Sequence, residues 1–523
     1  MSKVDTAATP STGERPADCS ESTDGHGAGP STAAANLVRP PPPPYSAFLP
    51  WEIWTIVGMV GLAGLFSPLT ANIYFPAIPT IADAFHESVE SINLTVTVYM
   101  IIQGLSPSIW GSVADRKGRR VVFIICLLIL LLCCVGLALT PTSDYWLLIL
   151  LRCIQAAGSA STIAISAGVI ADIIPAEERG GYIGISNIGP MIGPCLGPVI
   201  GGLLADKLGW RSIFWFLAIS TGVVMIFMLL FFPETLRSQV GNGLIPAPKW
   251  NRPLIPIIGR SSLGVHQERP PPRPLPNPFK LFTAPDLMAL LFSTAIIYSA
   301  FYAVTATVSS LFSEHYPFLS ETEIGLCYLS IGGGGAFATV LTGKLLDWQY
   351  MRVKTKFENT RKADLEKHSG SLDDEYSTST HDDFPIEEAT LQTQYIWILI
   401  FSGSCIGYGW CVQSGTSIAG PLVLHFILGY TMVSVMTNTQ TLIVDLFPTQ
   451  GSSVTAANNL VRCLMGAVAV SIINIITNAI GAGWTYTLCG LICLLTLPLV
   501  TLVLKKGPTW RKRRTERIRQ AHS

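Results

Sequence analysis

The chain has 523 residues, 49% of them hydrophobic and only 13% charged, with a mean hydropathy of +0.45. A soluble globular protein carries about 25% charged residues, so this composition argues against a soluble enzyme. The 34 basic and 34 acidic residues cancel, and with no net field to attract nucleic acid the basic residues matter through their placement.

Residues 1–50 are rich in Ser, Thr, Gly, Pro and Ala, end in the run Pro40–Pro44, and read as a disordered cytoplasmic tail. They hold no apolar run of the signal-peptide kind, so the first spanning helix is expected to act as the membrane signal. Apolar runs of bilayer length then predict twelve spans. Six lie near 53–72, 92–113, 121–140, 145–170, 182–205 and 212–232, forming an N-terminal six-helix bundle over 51–232. A polar, proline-rich cytoplasmic linker follows over 233–284. Six more spans, near 286–310, 324–346, 394–412, 419–444, 453–478 and 484–504, form a C-terminal bundle over 285–504. That bundle carries a polar cytoplasmic insert at 348–393, and a basic cytoplasmic tail occupies 505–523. The expected class is an all-α membrane protein of twelve transmembrane helices in two pseudo-symmetric bundles.

Basic residues set the orientation. The loops opposite the tails hold only Lys207 and Arg211, and Arg152 and Arg462 fall within spans. The remaining basic residues lie on the side of the tails, which is therefore expected to be cytoplasmic. Short echoes support an internal repeat. Gly111-Ser-Val-Ala-Asp115 is matched by Gly343-Lys-Leu-Leu-Asp347, Asp172-Ile-Ile-Pro175 by Asp445-Leu-Phe-Pro448, and Gly209-Trp210 by Gly483-Trp484, at offsets of 232, 273 and 274 residues. The jump after the first pair is about the size of the 348–393 insert.

Three segments carry motif chemistry. Gly111-Ser-Val-Ala-Asp115-Arg116-Lys117-Gly118-Arg119-Arg120 combines turn-permitting glycines with an acid and four bases whose partners can be exchanged between conformations. Its plainer role is a positive-inside anchor. Arg152-Cys-Ile-Gln155-Ala-Ala-Gly158 puts an arginine at bilayer depth. The cost there is at least about 2.5–3.5 kcal/mol, so the residue should face protein or water, snorkelling to a nearby surface being the alternative. Gly189, Gly193, Gly197 and Gly201 recur every four residues beside Pro190, Pro194 and Pro198. They form a small-residue groove for another backbone, on a helix bent by its prolines. Gly332–Gly335 could supply a facing surface from the other half.

These segments resemble the major facilitator superfamily. The first looks like its loop signature G-x-x-x-D-R-x-G-R-R/K. The resemblance implies a cytoplasmic latch including Gly111, Asp115, Arg116, Gly118 and Arg119, with Asp172 as charge partner. The second is similar to the family's R-x-x-Q-G motif with one extra residue before the glycine, which makes Arg152 and Gln155 candidates for proton coupling. Gly193, Gly197, Pro198, Gly201 and Gly202 fit the antiporter signature G-x-x-x-G-P-x-x-G-G, which the family associates with exporters. Asn72-Ile-Tyr74-Phe-Pro76-Ala-Ile-Pro79, Gln103 to Trp110, Pro233-Glu234-Thr235 and Ala456-Ala-Asn458-Asn459-Leu-Val-Arg462 extend the likeness towards fungal twelve-span drug:proton antiporters of the multidrug, quinidine and dityrosine type, over about 50–505.

Cargo contacts must come from polar or aromatic groups within spans. Asn72, Tyr74, Tyr99, Gln103, Asn187, His425, Asn458, Asn459 and Arg462 form that pool beside Arg152 and Gln155. Singly, such a residue is more often helix packing than ligand contact. His425 either titrates near neutral pH or has a hydrogen-bonded packing role. Two arginines with no carboxylate clearly inside a span leave the proton carrier open and make an anionic cargo a hypothesis. The cysteines, all but Cys19 within apolar runs, lack metal-ligand spacing and read as packing residues. No metal or cofactor is expected.

Lys505, Lys506 and Arg511–Arg514 should adhere to anionic lipid. Pro42-Pro43-Pro44-Tyr45 matches the PPxY pattern read by WW domains of ubiquitin ligases, a pattern that arises easily by chance in a proline run. No phosphate-binding G-x-x-x-x-G-K-[ST] loop is present, which points to an ion gradient instead of ATP. The expected function is export of a small organic molecule (drug, toxin, secondary metabolite or organic acid) by proton antiport and alternating access. An uptake carrier or facilitator of the same fold is the alternative. A monomer in the plasma membrane, or the vacuolar membrane, with both termini cytoplasmic, completes the expectation.

Overall fold

The computed structural model describes residues 45–175, 178–258, 282–367, 384–447 and 451–522. Their regular structure is helical: α1 Pro50–Asn72, α2 Ile78–Phe85, α3 Val89–Lys117, α4 Arg119–Leu139, α5 Tyr145–Ile173, α6 Arg179–Ser186, α7 Ile188–Leu208, α8 Arg211–Phe231, α9 Arg237–Val240, α10 Pro285–His315, α11 Glu321–Lys367, α12 Ile386–Leu391, α13 Gln394–Gln413, α14 Ala419–Leu446, α15 Gly451–Leu494 and α16 Leu497–His522. Large apolar side chains such as Leu132, Leu139, Ile219 and Val223 remain exposed, as lipid-facing surfaces require.

Eleven stretches are long and apolar enough to cross a membrane, against the twelve expected. The difference lies in the last, Ser453–Arg517, whose 65 residues would stretch about 97 Å as one helix, against a hydrocarbon core of about 30 Å. It is broken at Gly481 (φ 81°, ψ 162°), and the chain beyond packs Tyr486 against Tyr408 of α13. Gly481 has the backbone conformation of Gly209 (φ 80°, ψ 159°), which opens the turn into α8. The repeat therefore aligns Gly209 with Gly481, two residues from the Gly-Trp match. Gly483 lies inside the following helix, its N–H donating to Gln413 Oε1 at 2.6 Å.

Within the first half, α1 packs on α5 and α7, and α4 on α5 and α8. In the second, α10 packs on α15, α11 on α14, and α13 on α14 and α15. The halves meet where α3 lies on α15 and α7 on α11. The span 5 glycines mainly admit α1 of their own half: a Cβ at Gly193 would sit 2.7 Å from Pro68 Cγ, and one at Gly197 3.0 Å from Ile73 N. Of the facing glycines, Gly332 abuts Cys195 across the halves, whereas Gly334 packs on the Phe426 backbone of its own half. Nearer the loop, Gly325 and Gly202 bring α11 and α7 together, with a Cβ on Gly325 placed 2.6 Å from Pro198 O.

Three polar segments are more ordered than expected. Of the 1–50 tail, residues 1–44 lie outside the described residues, but Tyr45 donates to Ala171 O (3.0 Å) and Ala47 N to Asn242 O (2.9 Å). The linker begins as part of the first half, with Glu234 and Asn251 buried. In the 348–393 insert, α11 runs on to Lys367, and Val353 and Phe357 pack with Phe384 and Ala389. Here the Gly343–Asp347 echo makes no turn. The first copy ends at Gly118 (φ 114°), whereas Trp348-Gln-Tyr-Met-Arg352 after the second contains no helix breaker. The Asp-x-x-Pro echo does hold, since α5 and α14 each stop one residue past Asp172 and Asp445.

Candidate functional site

Arg152 is fully enclosed on α5. Its Nη1 donates to Gln155 Oε1 at 2.7 Å, the i, i+3 spacing putting both on one helix face. Gln155 Nε2 in turn reaches Cys134 Sγ on α4 at 3.2 Å. The guanidinium carbon lies 4.3 Å from the Tyr74 ring centroid and 4.5 Å from that of Tyr99. Each ring is tethered: Tyr74 Oη accepts from Thr95 Oγ1 (3.2 Å), and Tyr99 Oη meets Ser159 Oγ (2.7 Å). Aromatic faces offset part of the cost of burying the cation. Arg152 Nε and Nη2 have no hydrogen-bond partner, and no carboxylate pairs with the group among the described residues.

The second half presents a similar arrangement on α15. Arg462 Nη2 donates to Asn459 Oδ1 at 2.8 Å, its guanidinium lies 4.5 Å from the Tyr298 ring centroid, and Nε is buried without a partner. Tyr298 lies against Tyr302 with centroids 4.5 Å apart and the rings tilted by 34°. Asn459 Nδ2 crosses to Gln103 O on α3 at 3.2 Å, and Gln103 Oε1 is also buried and unpartnered. Tyr302 interacts with Asn72 and Arg462, and lies within electrostatic reach of Tyr99. Tyr99 and Tyr302 thus link the surroundings of the two arginines. Asn72 Nδ2 also bonds Pro68 O (2.7 Å), and Asn458 Nδ2 bonds Gln440 Oε1 on α14 (2.9 Å).

Two residues of the sequence-derived pool lie elsewhere. Asn187 is the junction between α6 and α7. His425 stacks between Phe312 (5.7 Å) and Tyr408 (4.7 Å) near the end of α14 opposite the chain termini, with neither ring nitrogen hydrogen-bonded. The ring is packed among aromatic side chains, without the expected hydrogen bond. Sequence reasoning missed Tyr298 and Tyr302, whose i, i+4 spacing on α10 was the available signal.

On the face carrying Tyr45 and the end of α16, here the tail face, Arg119 Nη2 lies 2.6 Å from Asp115 and its Nε donates to Asp172 at 3.0 Å. Gly168 makes room for it: a Cβ there would be 2.6 Å from the guanidinium carbon. Glu234 accepts four backbone N–H bonds, from Arg119 (2.9 Å), Arg120 (3.2 Å), Thr235 (3.0 Å) and Leu236 (2.9 Å). Burial pushes its carboxyl up while those donors pull it back, the net direction being upward. Gly118 must remain glycine, having positive φ and Glu234 and Asn251 at its Cα. Arg116 is exposed, and a Cβ at Gly111 would meet open space, so neither joins this cluster. The partners Asp115, Asp172 and Glu234 all belong to the first half.

Polar contacts between the halves gather at the opposite face. Ser309 donates to Pro76 O (3.0 Å), Thr80 to Glu321, Thr322 to Asp206 (2.6 Å) and Asn478 to Glu90 (2.9 Å). This face is sealed.

Two helical halves around a few buried polar groups, inside a lipid-facing exterior, define a multi-pass membrane transporter. The chain belongs to the Major Facilitator Superfamily, whose family model matches residues 60–357. It is 36% identical over 484 residues to Citrate exporter 1 of Aspergillus niger, covering 91% of this chain and 90% of that protein. It is 33% identical over 484 residues to Multidrug transporter QDR2 of Candida glabrata, covering 89% and 82%. Among solved structures, the xylose transporter XylE from E. coli, in a partially occluded inward open conformation, superposes with a TM-score of 0.59 at 14% identity, covering 87% of this chain and 98% of that one. That last likeness is one of fold.

Proposed function

We propose that this transporter exports a small organic anion bearing more than one carboxylate, exchanging it against protons by alternating access. One observation carries the reading: each half contributes a guanidinium with unsatisfied buried N–H (Nε and Nη2 of Arg152, Nε of Arg462) and, among the described residues, no acid paired with it. Such a group is costly unless an anion completes it. The planar donor fork of arginine matches a carboxylate, and the tyrosines would wall the cargo's carbon skeleton. The A. niger relative, named a citrate exporter, makes a polycarboxylate the natural probe.

The seal supports the direction we propose. The halves are bonded on the face opposite the termini, which favours loading from the tail side. With the tails cytoplasmic, as the basic residues lead one to expect, loading from that side means export. The antiporter signature at Gly193–Gly202 agrees. A guanidinium stays charged at any physiological pH, so Arg152 and Arg462 hold cargo and the proton travels on another group. The test uses proteoliposomes with an imposed pH gradient and labelled citrate. Uphill movement of citrate that collapses with the gradient supports the reading. Downhill equilibration alone, at any pH gradient, rejects proton antiport, and no citrate movement with uptake of neutral drugs rejects the anionic cargo.

A further inference from the structure

The two halves are tied off alike on the tail face. Just beyond α8, Arg237 Nε donates to Asp172 O at the end of α5 (2.8 Å), its guanidinium lying 3.7 Å from the Tyr45 ring centroid. In the second half, Arg514 lies on the polar extension of α16. Its Nη2 reaches Leu446 O at the end of α14 (3.4 Å), and its guanidinium lies 4.1 Å from the Phe447 ring centroid. The carbonyls closing a helix lack intrahelical partners and favour a cation. In both halves the capped helix is the fourth span, and the cap falls within one residue of the aspartate in the Asp-x-x-Pro echo.

Arg514 Nη1 also pairs with Asp286 at 2.7 Å, and Arg511 Nη2 lies 3.6 Å from Glu387 and donates to Phe384 O at 2.7 Å. Both acids are 1% exposed. Gly507, Arg511 and Arg514 fall on one helix face, and Gly507 lets α16 approach α12: a Cβ there would be 3.0 Å from Glu387 Cγ. Two of the basic residues read as lipid anchors are thus turned onto protein acids, while Lys505, Lys506 and Arg513 stay exposed. The second half has no turn equivalent to Gly118, because α11 continues through that position.

We propose that the C-terminal segment is the tail-face clamp of the second half, with Arg514 a positioning residue that fixes the end of α14. Through α14 it sets Gln440, which holds Asn458 beside the Asn459–Arg462 pair. The segment belongs to the transport machinery and does not serve only as a lipid anchor.

The test is hydrogen–deuterium exchange on the full chain in nanodiscs of phosphatidylcholine, with and without phosphatidylserine, combined with mass-spectrometric maleimide labelling of Cys463, which contacts Asn459. Neither readout needs a cargo, so failure here is separate from failure of the proposed function. Arg514→Ala should speed exchange over 440–447 by about tenfold or more in both lipids, leave 168–174 unchanged, and raise labelling of Cys463. Arg237→Ala should loosen 168–174 and spare 440–447. Arg514→Lys should be intermediate, because an ammonium cannot span Asp286, the carbonyl and the ring together; Arg513→Ala should do nothing. If Arg514→Ala does not fold, Asp286→Asn must loosen the same segment. Unchanged exchange at 440–447, loosening that depends on anionic lipid, equal loosening in both halves, or unaltered Cys463 labelling would each overturn the proposal.

Discussion

Replacing Arg152 by methionine keeps an unbranched side chain and removes the charge. For folding, the change relieves the burial cost of an arginine at helix centre, about 2.5–3.5 kcal/mol on insertion scales. It forfeits cation–π contacts with Tyr74 and Tyr99, up to about 2 kcal/mol each when desolvated, and the charged bond to Gln155, about 1.5–3 kcal/mol. At their upper values the losses exceed the relief by about 3.5–4.5 kcal/mol, so Arg152→Met should melt lower but remain folded within a stability of about 5–15 kcal/mol. For cargo the balance is one-sided. Losing one partner of a desolvated, hydrogen-bonded charge pair costs about 2–5 kcal/mol, which at about 1.4 kcal/mol per decade is a drop in citrate affinity of roughly 30-fold or more. Arg152→Lys keeps the charge but loses the fork and should fall between. The assay is equilibrium binding of labelled citrate to purified protein, with thermal stability read in parallel. A folded Arg152→Met that binds citrate within about threefold of wild type would refute the view that this guanidinium receives the cargo.

Arg462→Met should weaken citrate binding by a similar factor, and the double variant should bind no measurable citrate, read in the same assay; a double variant no worse than either single one would mean that the two groups serve different ligands. Gly197→Val adds branching atoms where even a Cβ meets Ile73 N at 3.0 Å. It should separate α7 from α1 at a cost of about 1–3 kcal/mol or more, seen as a lower melting temperature and reduced surface expression. Thr322→Val with Thr80→Val removes two of the bonds sealing the face opposite the termini. Labelling of a cysteine placed at Ser309 from that side should rise several-fold, since these bonds, one part-buried and one exposed, contribute at most about 1.5–3 kcal/mol each. Tyr45→Phe removes the bond to Ala171 O but keeps the ring under Arg237, so stability should change by no more than about 1 kcal/mol in thermal melts.

The spans were legible because each is a run of apolar residues long enough for a bilayer, a local property needing no partner. Arg152 and Gln155 were legible for the same reason, their contact being one helical turn. Arg119–Asp172 was within reach through the resemblance of the Gly111–Arg120 segment to a known loop signature. The tyrosines of α10 were not, since nothing in Tyr298 and Tyr302 themselves says that an arginine on α15 will lie against them. Nor was the length of α11: the Gly343–Asp347 echo has the letters of the first loop but lacks the following glycine, and without it the helix continues. The Gly-Trp echo misled by two residues because the positive-φ position, and not the tryptophan, determines where the chain turns.

The charge distribution determines what parting the halves costs on each face. On the tail face, Asp115, Asp172 and Glu234 are held by Arg119 and by backbone N–H groups of their own half, Asp286 bonds Arg514 of its half, and Glu387 lies 3.6 Å from Arg511 without a hydrogen bond. Separating the halves there leaves each of these acids with its partner. On the opposite face Glu90, Asp206 and Glu321 accept from Asn478, Thr322 and Thr80 across the seam. Parting that face exchanges three bonds from neutral donors for bonds to water, a net cost of at most about 1.5–3 kcal/mol each, the range for bonds to a charged group. A cargo that neutralises Arg152 and Arg462 supplies binding energy on the order of several kcal/mol, enough to shift a balance of that size. Under the proposed function, opening of the sealed face is expected to follow occupation of the central arginines.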